Sequence, residues 1–516
     1  MAIVSTLPTK FRLFVSGFAI DWRVLALACF TAWVLVVGSH HEPWFDEAQS
    51  WLLARDNSLW TLLADRLRYE GSPGLWHVVL WFAIRAGLPY SQIHLIPAAF
   101  AVAGVAVVLW RAPFPALLRV GLLASYFFGY QLSVLARSYC MELLLVPLAA
   151  CCFADRVERP LRYVILIGLL GNTNTYSLAA AGVMGLELTW QIWRAGQLFQ
   201  ARYASALLVG AAMGLFAVWT VWQPHDNSVW GTEKWPNPLS TGVIYLLYTF
   251  VDRIAVWRAA PTSGTEYIFA IAVLIVVLTP VVRLILAGGN RMLSLGIFTV
   301  LICLWCFVYA DTWQAAVLFL FWLFLMWINW DTPISSKLRH QLITAMAVIF
   351  VFQAVQTLQS GWWDIGHSYS PGQPAAKALQ DYRERHPRAV IHGYTYKIFE
   401  MQPWLVGNPF ANYHHGDKSP SYTTWNRHEL YGQTNSLTDW QRELAANADL
   451  IVASSGLKIA EPEPLEPLAC QMGYGLIQSF PGTVIWRGRP LLDNTIYLFE
   501  RGAPGNCARL AHHTQK

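Results

Sequence analysis

The chain has 516 residues, 55% of them hydrophobic and only 13% charged, a balance that excludes an ordinary soluble protein and predicts a polytopic membrane protein. Its net charge of +5 lies mostly in short loops, which fits membrane topology and argues against nucleic-acid binding. With no P-loop and no dinucleotide fingerprint, nothing implies ATP or NAD.

Lys10, Arg12 and Arg23 precede the first apolar run, Val24 to Gly38. Positive charge ahead of a span predicts a cytoplasmic N-terminus. No small-residue cleavage site follows Arg23, so no cleavable signal peptide is expected. Next comes HHEPWFDEAQSWLLARDNSLWTLLADRLRYEGSPGLWH, residues 40–77, too polar to cross a bilayer. Pro43, Asp46 and Glu47 suit a helix's first turn, and Ala48, Trp51, Leu52 and Arg55 recur at helical spacing. A second short helix follows an Asn57 or Ser58 cap, with Leu59, Leu62, Leu63 and Leu67 on one face and Gly71 at its end. Two such amphipathic helices after a span are expected to lie along the bilayer surface, apolar side down.

Further apolar runs are Leu75–Leu88, Ile93–Trp110, Ala116–Leu135, Tyr139–Ala154, Tyr163–Gly171 with Ser177–Trp193, and Ala204–Trp222. Tyr267–Ala287, Met292–Ala310, Ala315–Trp330 and Leu342–Leu358 complete the set, and about ten to twelve spans are expected. Basic loops at Arg156, Arg159 and Arg162, at Arg194 and Arg202, at Arg283 and Arg291, and at Lys337 and Arg339 mark the inside. The loops Asn172–Tyr176, Gln223–Thr241 and Asp311–Gln314, and everything after Gln359, are expected outside. Leu75–Leu88, broken by His77 and Arg85, is the weak span by parity. Gly242–Trp257, holding Asp252 and Arg253, reads as interfacial or re-entrant.

Composition turns polar and Pro-rich from Trp362. Strands are expected at Ala389–Tyr394, Leu450–Ala453, Leu476–Phe480, Val484–Trp486 and Ile496–Phe499, and helices at Pro374–Glu384 and Leu437–Ala446. The expected architecture is therefore a mostly α membrane module, 1–361, whose first outer loop is 41–74, and a small periplasmic α/β domain, 362–516. Cys29, Cys140, Cys151, Cys152, Cys303 and Cys306 fall in or beside apolar runs and read as core, and the Cys303–Cys306 CxxC lacks a second pair. Cys470 and Cys507 are the two in the polar tail and are expected to form a disulfide.

Several residues carry a structural and a chemical reading side by side. Asp46 and Glu47 are either acids decorating a helix start or catalytic carboxylates, with Asp46 accepting a proton from a hydroxyl. Arg137, in LARSYCMELLL, either snorkels at the end of a span or clamps a phosphate beside Tyr139. Arg55 is a second candidate for that phosphate. His77 and Glu70, and His225 and Lys234 of the Trp-flanked loop, are further substrate-site candidates. His414, His415 and Asp417 are weak metal-ligand candidates.

HEPWFDEAQSWLLARD, YEGSPGLWH, ARSY, PWLVGNPFANYH and YTTW together resemble the GT-C superfamily of membrane glycosyltransferases. The likeness is to the bacterial branch related to protein O-mannosyltransferases and the lipid A aminoarabinose transferase. It implies inverting transfer of a sugar from a polyprenyl-phosphate donor to a hydroxyl of a glycan, lipid or protein, at the periplasmic face of the bacterial inner membrane. It places the catalytic acid at Asp46, with Glu47 beside it. It implies membrane lipids as partners and leaves a divalent metal ion open. Relatives commonly carry a basic residue where Phe45 stands, a His where Ser72 stands, and an Arg-His pair near Thr312-Trp313. A transporter or flippase of a lipid-linked saccharide is the alternative, but it calls for charges deep in spans and paired repeats. A non-catalytic membrane scaffold is a third.

Overall fold

A computed structural model describes residues 12–15, 18–227, 238–252, 264–309, 312–414, 420–426, 437–455 and 465–503. The strands β1 (Arg12–Val15) and β2 (Phe18–Asp21) pair antiparallel ahead of the first long helix, α1 (Trp22–His40). Among the described residues six helices are long and apolar enough to cross a membrane, or seven if the bent pair Ala116–Ala124 and Phe127–Val134 is one span. The other apolar runs form shorter helices: Leu75–Arg85, Ser138–Cys152, Pro160–Gly171, Ser240–Phe250 and Arg291–Phe307. The ten to twelve spans expected from sequence include these short pieces. The run read as interfacial, Gly242–Trp257, is helical as far as Phe250, and residues 253–263 lie outside the described part.

The chain divides into two compact units. The first contains Met1–Ser39, His94–Val218 and Glu233–Leu358; the second contains His40–Ile93, Trp219–Thr232 and Gln359–Lys516. The division differs from the sequence boundary at 361 because His40–Ile93, which follows the first long helix, packs with the tail.

The first unit is built around the helix Ala315–Asn329, buried along nearly its whole length and apolar all round, as a core helix should be. Outer helices bury one stripe and leave large apolar side chains such as Leu186, Leu215 and Val276 uncovered, which suits lipid rather than water. Small residues let helices approach closely. A Cβ at Gly104 would collide with the backbone of Leu143, so Leu95–Arg111 and Glu142–Cys152 touch there. The bent pair turns by 52° at Ser125, and a π-helical stretch, Phe127–Gln131, follows the break. Its Gly129 carbonyl accepts the indole N–H of Trp33 at 2.8 Å.

In the second unit, α2 (Phe45–Asp56), α3 (Leu59–Ala64) and α4 (Leu75–Arg85) follow α1. Ser58 caps α3 by accepting the Thr61 N–H at 3.1 Å. Gly71, with φ of 67°, makes the turn ahead of α4 in a backbone region that favours glycine. The expected single apolar face on α2 is not what forms. Phe45, Ala48, Trp51, Leu52, Leu53 and Ala54 are all buried, because tail residues cover the side that bare sequence assigns to water. Of the expected surface pair, α3 keeps the interfacial character, with Trp60 72% exposed.

The tail forms a four-stranded sheet in the order β3-β4-β8-β5 and a separate hairpin of β6 and β7. The strands are β3 (Ile391–Tyr394), β4 (Leu450–Ser454), β5 (Tyr474–Phe480), β6 (Thr483–Trp486), β7 (Arg489–Asp493) and β8 (Ile496–Arg501). β3 and β4 run parallel, and β8 pairs antiparallel with β4 and with β5. β4 is buried at every position, and its alternation sends Leu450 and Val452 into one core and Ile451 and Ala453 into the other. The first core includes Phe45 of α2 with Ile398, Phe399 and Leu379 of the tail; the second is built on Trp440, Tyr474 and Phe499. The α/β tail is thus present, with β7 and the helix Leu465–Gln471 added to the expected elements. Cys470 is disulfide-bonded, and Cys507, its expected partner, lies outside the described residues. The six cysteines read as core are free; Cys140 and Cys152 are buried, Cys151 and Cys306 half-buried, and Cys29 and Cys303 are exposed on their apolar helices rather than in the core.

Candidate active site

Asp46 and Glu47 stand in the first turn of α2 and have opposite surroundings. Glu47 is fully buried; its Oε2 accepts the backbone N–H of Trp44 at 3.1 Å and the His41 Nε2 at 3.0 Å. That is the return half of a capping box, and it fixes the start of the helix. His41 Nδ1 contacts Asp364 Oδ2 at 3.0 Å, so one imidazole joins two carboxylates. Burial alone would push the His41 pKa down; the charges of Asp364 and Glu47 overcome it and hold the ring at about 10. His41 is therefore a cation at neutral pH. Asp46 is only half-buried and directs its backbone carbonyl to the Ser50 hydroxyl at 3.1 Å.

The tail reaches α2 through paired polar contacts. The Gln49 amide donates to the Thr423 carbonyl at 2.7 Å and accepts the Thr423 N–H at 3.0 Å. Tyr422 donates to Asn57 Oδ1 at 3.2 Å, and the Ser421 hydroxyl donates to Asp56. The YTTW stretch is thus a docking strip for α2.

Lys397 and Glu400, on the 3-10 segment Tyr396–Trp404, are buried in the same unit. Burial raises the Glu400 pKa to about 8, against hydrogen bonds from Asn494 and Ser370. Burial also lowers the Lys397 pKa, opposed by the charges of Glu400, Asp46 and Asp493. Glu42 is raised by burial too, although the Ser368 hydroxyl donates to it at 2.5 Å.

The remaining candidates fall in several places. Arg55 bonds its neighbour Asp56 at 2.6 Å and reaches the Gln402 carbonyl at 3.4 Å. Glu70 accepts the Gln49 amide at 2.8 Å. His77 is buried on α4, and His225 is exposed. Asp226, beside His225, accepts the Tyr69 hydroxyl at 3.1 Å. Arg137 and Tyr139 belong to the first unit. Arg137 caps the 3-10 turn Ser138–Met141 with extended backbone, and its guanidinium lies 5.9 Å from the Tyr139 ring centre. On the next turn Glu142, fully buried, accepts Thr173 Oγ1 at 3.0 Å, Ser177 Oγ at 2.6 Å and the Asn174 amide. Lys234, His415 and Asp417 lie outside the described residues. Among the described residues no group of three or more His, Cys, Asp and Glu stands together as a metal site.

Sequence reasoning missed His41, Asp364, Lys397, Glu400 and Glu142. His41 and Asp364 are 323 positions apart, so no local spacing signals their pairing. The signal for Glu142 was an acid inside an apolar run, five residues after the ARSY arginine.

No family model matches the chain, and no curated protein matches it. Among solved structures it is similar to ArnT. That structure, ArnT from Cupriavidus metallidurans in the apo state, is 13% identical, with 92% of this chain and 97% of that chain covered and a TM-score of 0.49. A likeness of that strength assigns neither an activity nor a residue.

Proposed function

We propose that this chain is a GT-C-type inverting glycosyltransferase that moves a sugar from a polyprenyl-phosphate donor to a hydroxyl acceptor on the outer side of a bacterial inner membrane. The observation that carries the reading is the asymmetry of the acidic pair. Glu47 is spent on the helix cap and His41, whereas Asp46, next to it, remains half-exposed at the start of α2, directly after α1. An acid held in place by its neighbour's cap is suited to act as a base.

In the proposed step Asp46 takes the proton of the acceptor hydroxyl. The acceptor oxygen forms a bond to the anomeric carbon as the bond from that carbon to the phosphate oxygen breaks. The bonding pair leaves with the polyprenyl phosphate, which gains a negative charge. The leaving phosphate needs cationic stabilisation more than a general acid, and one in-line displacement inverts the centre. Arg137 is assigned to that phosphate because guanidinium geometry matches it, and Tyr139 is beside it. Glu47 and His41 position α2 and do not react. A glycoside hydrolase would instead need two opposed carboxylates at a set separation.

The test follows release of polyprenyl phosphate from polyprenyl-phosphate hexoses and pentoses by purified protein. Arg137→Ala should weaken donor KM and kcat together, because the phosphate is present in ground and transition states. Unchanged kinetics in Arg137→Ala would remove Arg137 from the site.

A further inference from the structure

His41 and Glu42 follow directly on α1, and each is held by a residue more than 300 positions later. His41 Nδ1 lies 3.0 Å from Asp364 Oδ2, and Glu42 accepts the Ser368 hydroxyl at 2.5 Å. Asp364 stands in the last turn of the helix Ser336–Gly366, and Ser368 follows its end. The His41 and Asp364 side chains are 1% and 0% exposed. The buried Tyr369 ring closes over them, edge-on to His41 with ring centres 4.6 Å apart and to Trp44 at 6.4 Å. From His41 the contacts run on to Glu47 at 3.0 Å, and from Glu47 to the backbone N–H of Trp44 at 3.1 Å. Trp44 is the N-cap of α2, two positions before Asp46. An unbroken series of polar contacts therefore leads from Asp364 to the residue that starts α2.

Charge balance does not require the second carboxylate. The imidazolium of His41 and the carboxylate of Glu47 already form a neutral buried pair. What Asp364 adds is direction. With one ring nitrogen on Glu47 and the other on Asp364, the imidazole plane is fixed, and the Glu47 carboxylate that caps α2 is fixed with it. A supporting group of this kind keeps a reacting side chain within a fraction of an ångström of its productive place.

We infer that Asp364 is a positioning residue for the proposed transfer: from the end of the helix Ser336–Gly366 it fixes His41, and through His41 and Glu47 the first turn of α2, which carries Asp46. The inference rests on the reading of Asp46 as the base. It gives the end of that helix a role in the reaction, although Asp364 itself touches no substrate. A buried acid that only stabilised the fold would act on stability alone. One that acts through α2 changes turnover, and its effect vanishes when Asp46 is no longer a base.

The experiment measures polyprenyl-phosphate release by wild type, Asp364→Ala, Asp364→Asn, Asp46→Asn and the two double variants, at equal amounts of folded protein. Asp364→Ala leaves the neutral His41–Glu47 pair, so no lone buried charge opposes folding. It should lower kcat by about tenfold or more, with donor KM changed by less than about twofold. Asp364→Asn, whose amide oxygen can still accept the Nδ1–H of His41, should recover part of the loss and stay about three- to fivefold below wild type. Adding either substitution to Asp46→Asn should cost less than about twofold further. If Asp364→Ala yields no folded protein, Asp364→Asn carries the same test. Wild-type kcat in the variant read, a rise in donor KM that matches the fall in kcat, or an undiminished loss in the double variant overturns the inference while leaving Asp46 as base. Full activity in Asp46→Asn overturns the base reading itself, and this inference with it.

Discussion

His41 shows how far a residue's chemistry depends on neighbours that sequence spacing does not reveal. Read alone it is one of two histidines after a span; folded, it is a buried cation between Glu47 and Asp364. Its raised pKa contributes stability that is fully present below the ordinary histidine value and is lost as pH rises towards about 10. Glu400 acts at lower pH. Burial lifts its pKa from 4.5 to about 8, so the folded state holds a proton that the unfolded state has lost, and stability falls as pH rises across that interval. Glu400→Gln, which mimics the protonated acid, should flatten that slope. At pH 9 it should be more stable than wild type by on the order of a few kcal/mol, read as thermal midpoints across pH. An identical pH slope in both proteins would mean that Glu400 is ionised throughout. The acidic pair was visible in sequence because acids at a helix start have a local signature. The burial of Glu47 was not, because its partner on the other side of His41 comes from the end of the helix Ser336–Gly366.

The elements themselves were largely legible. Apolar runs became helices, and Ser58, Gly71 and the tail strands fall where capping and alternation place them. The environment of α2 was not legible, since its apolar residues cover more than one stripe and only the tail explains the rest. Phe45 illustrates this: its ring, at the start of α2, packs against Tyr396 and Trp425 of the tail. Gln49→Ala should remove both hydrogen bonds to Thr423 and leave buried backbone groups unpaired, destabilising the second unit by about 2 kcal/mol or more. Protease accessibility of the YTTW strip would report it, and unchanged protection would show that apolar packing alone docks the strip. In the first unit Gly104→Val places a side chain into the Leu143 backbone. It should cost roughly 1–3 kcal/mol or more in overpacking, measured as a lower thermal midpoint in detergent.

At the scale of the molecule, His40–Ile93 and Trp219–Thr232 form one unit with the tail, and most of the long apolar helices lie in the other. Basic loops at Arg156–Arg162, Arg283–Arg291 and Lys337–Arg339 argue that the N-terminus is inside and the tail outside. A reporter active only in the periplasm should therefore work when fused after Lys516; activity of a cytoplasm-only reporter there would invert the layout and move Asp46 to the wrong side. The chemistry can be tested still more directly. Wild type and Asp46→Asn, at equal amounts of folded protein, are compared for transfer from polyprenyl-phosphate sugars. The substitution keeps size and polarity and removes the base. Turnover should drop by roughly 100- to 10,000-fold, about 3–5 kcal/mol, with donor binding largely retained. Equal rates in the two proteins would contradict the account.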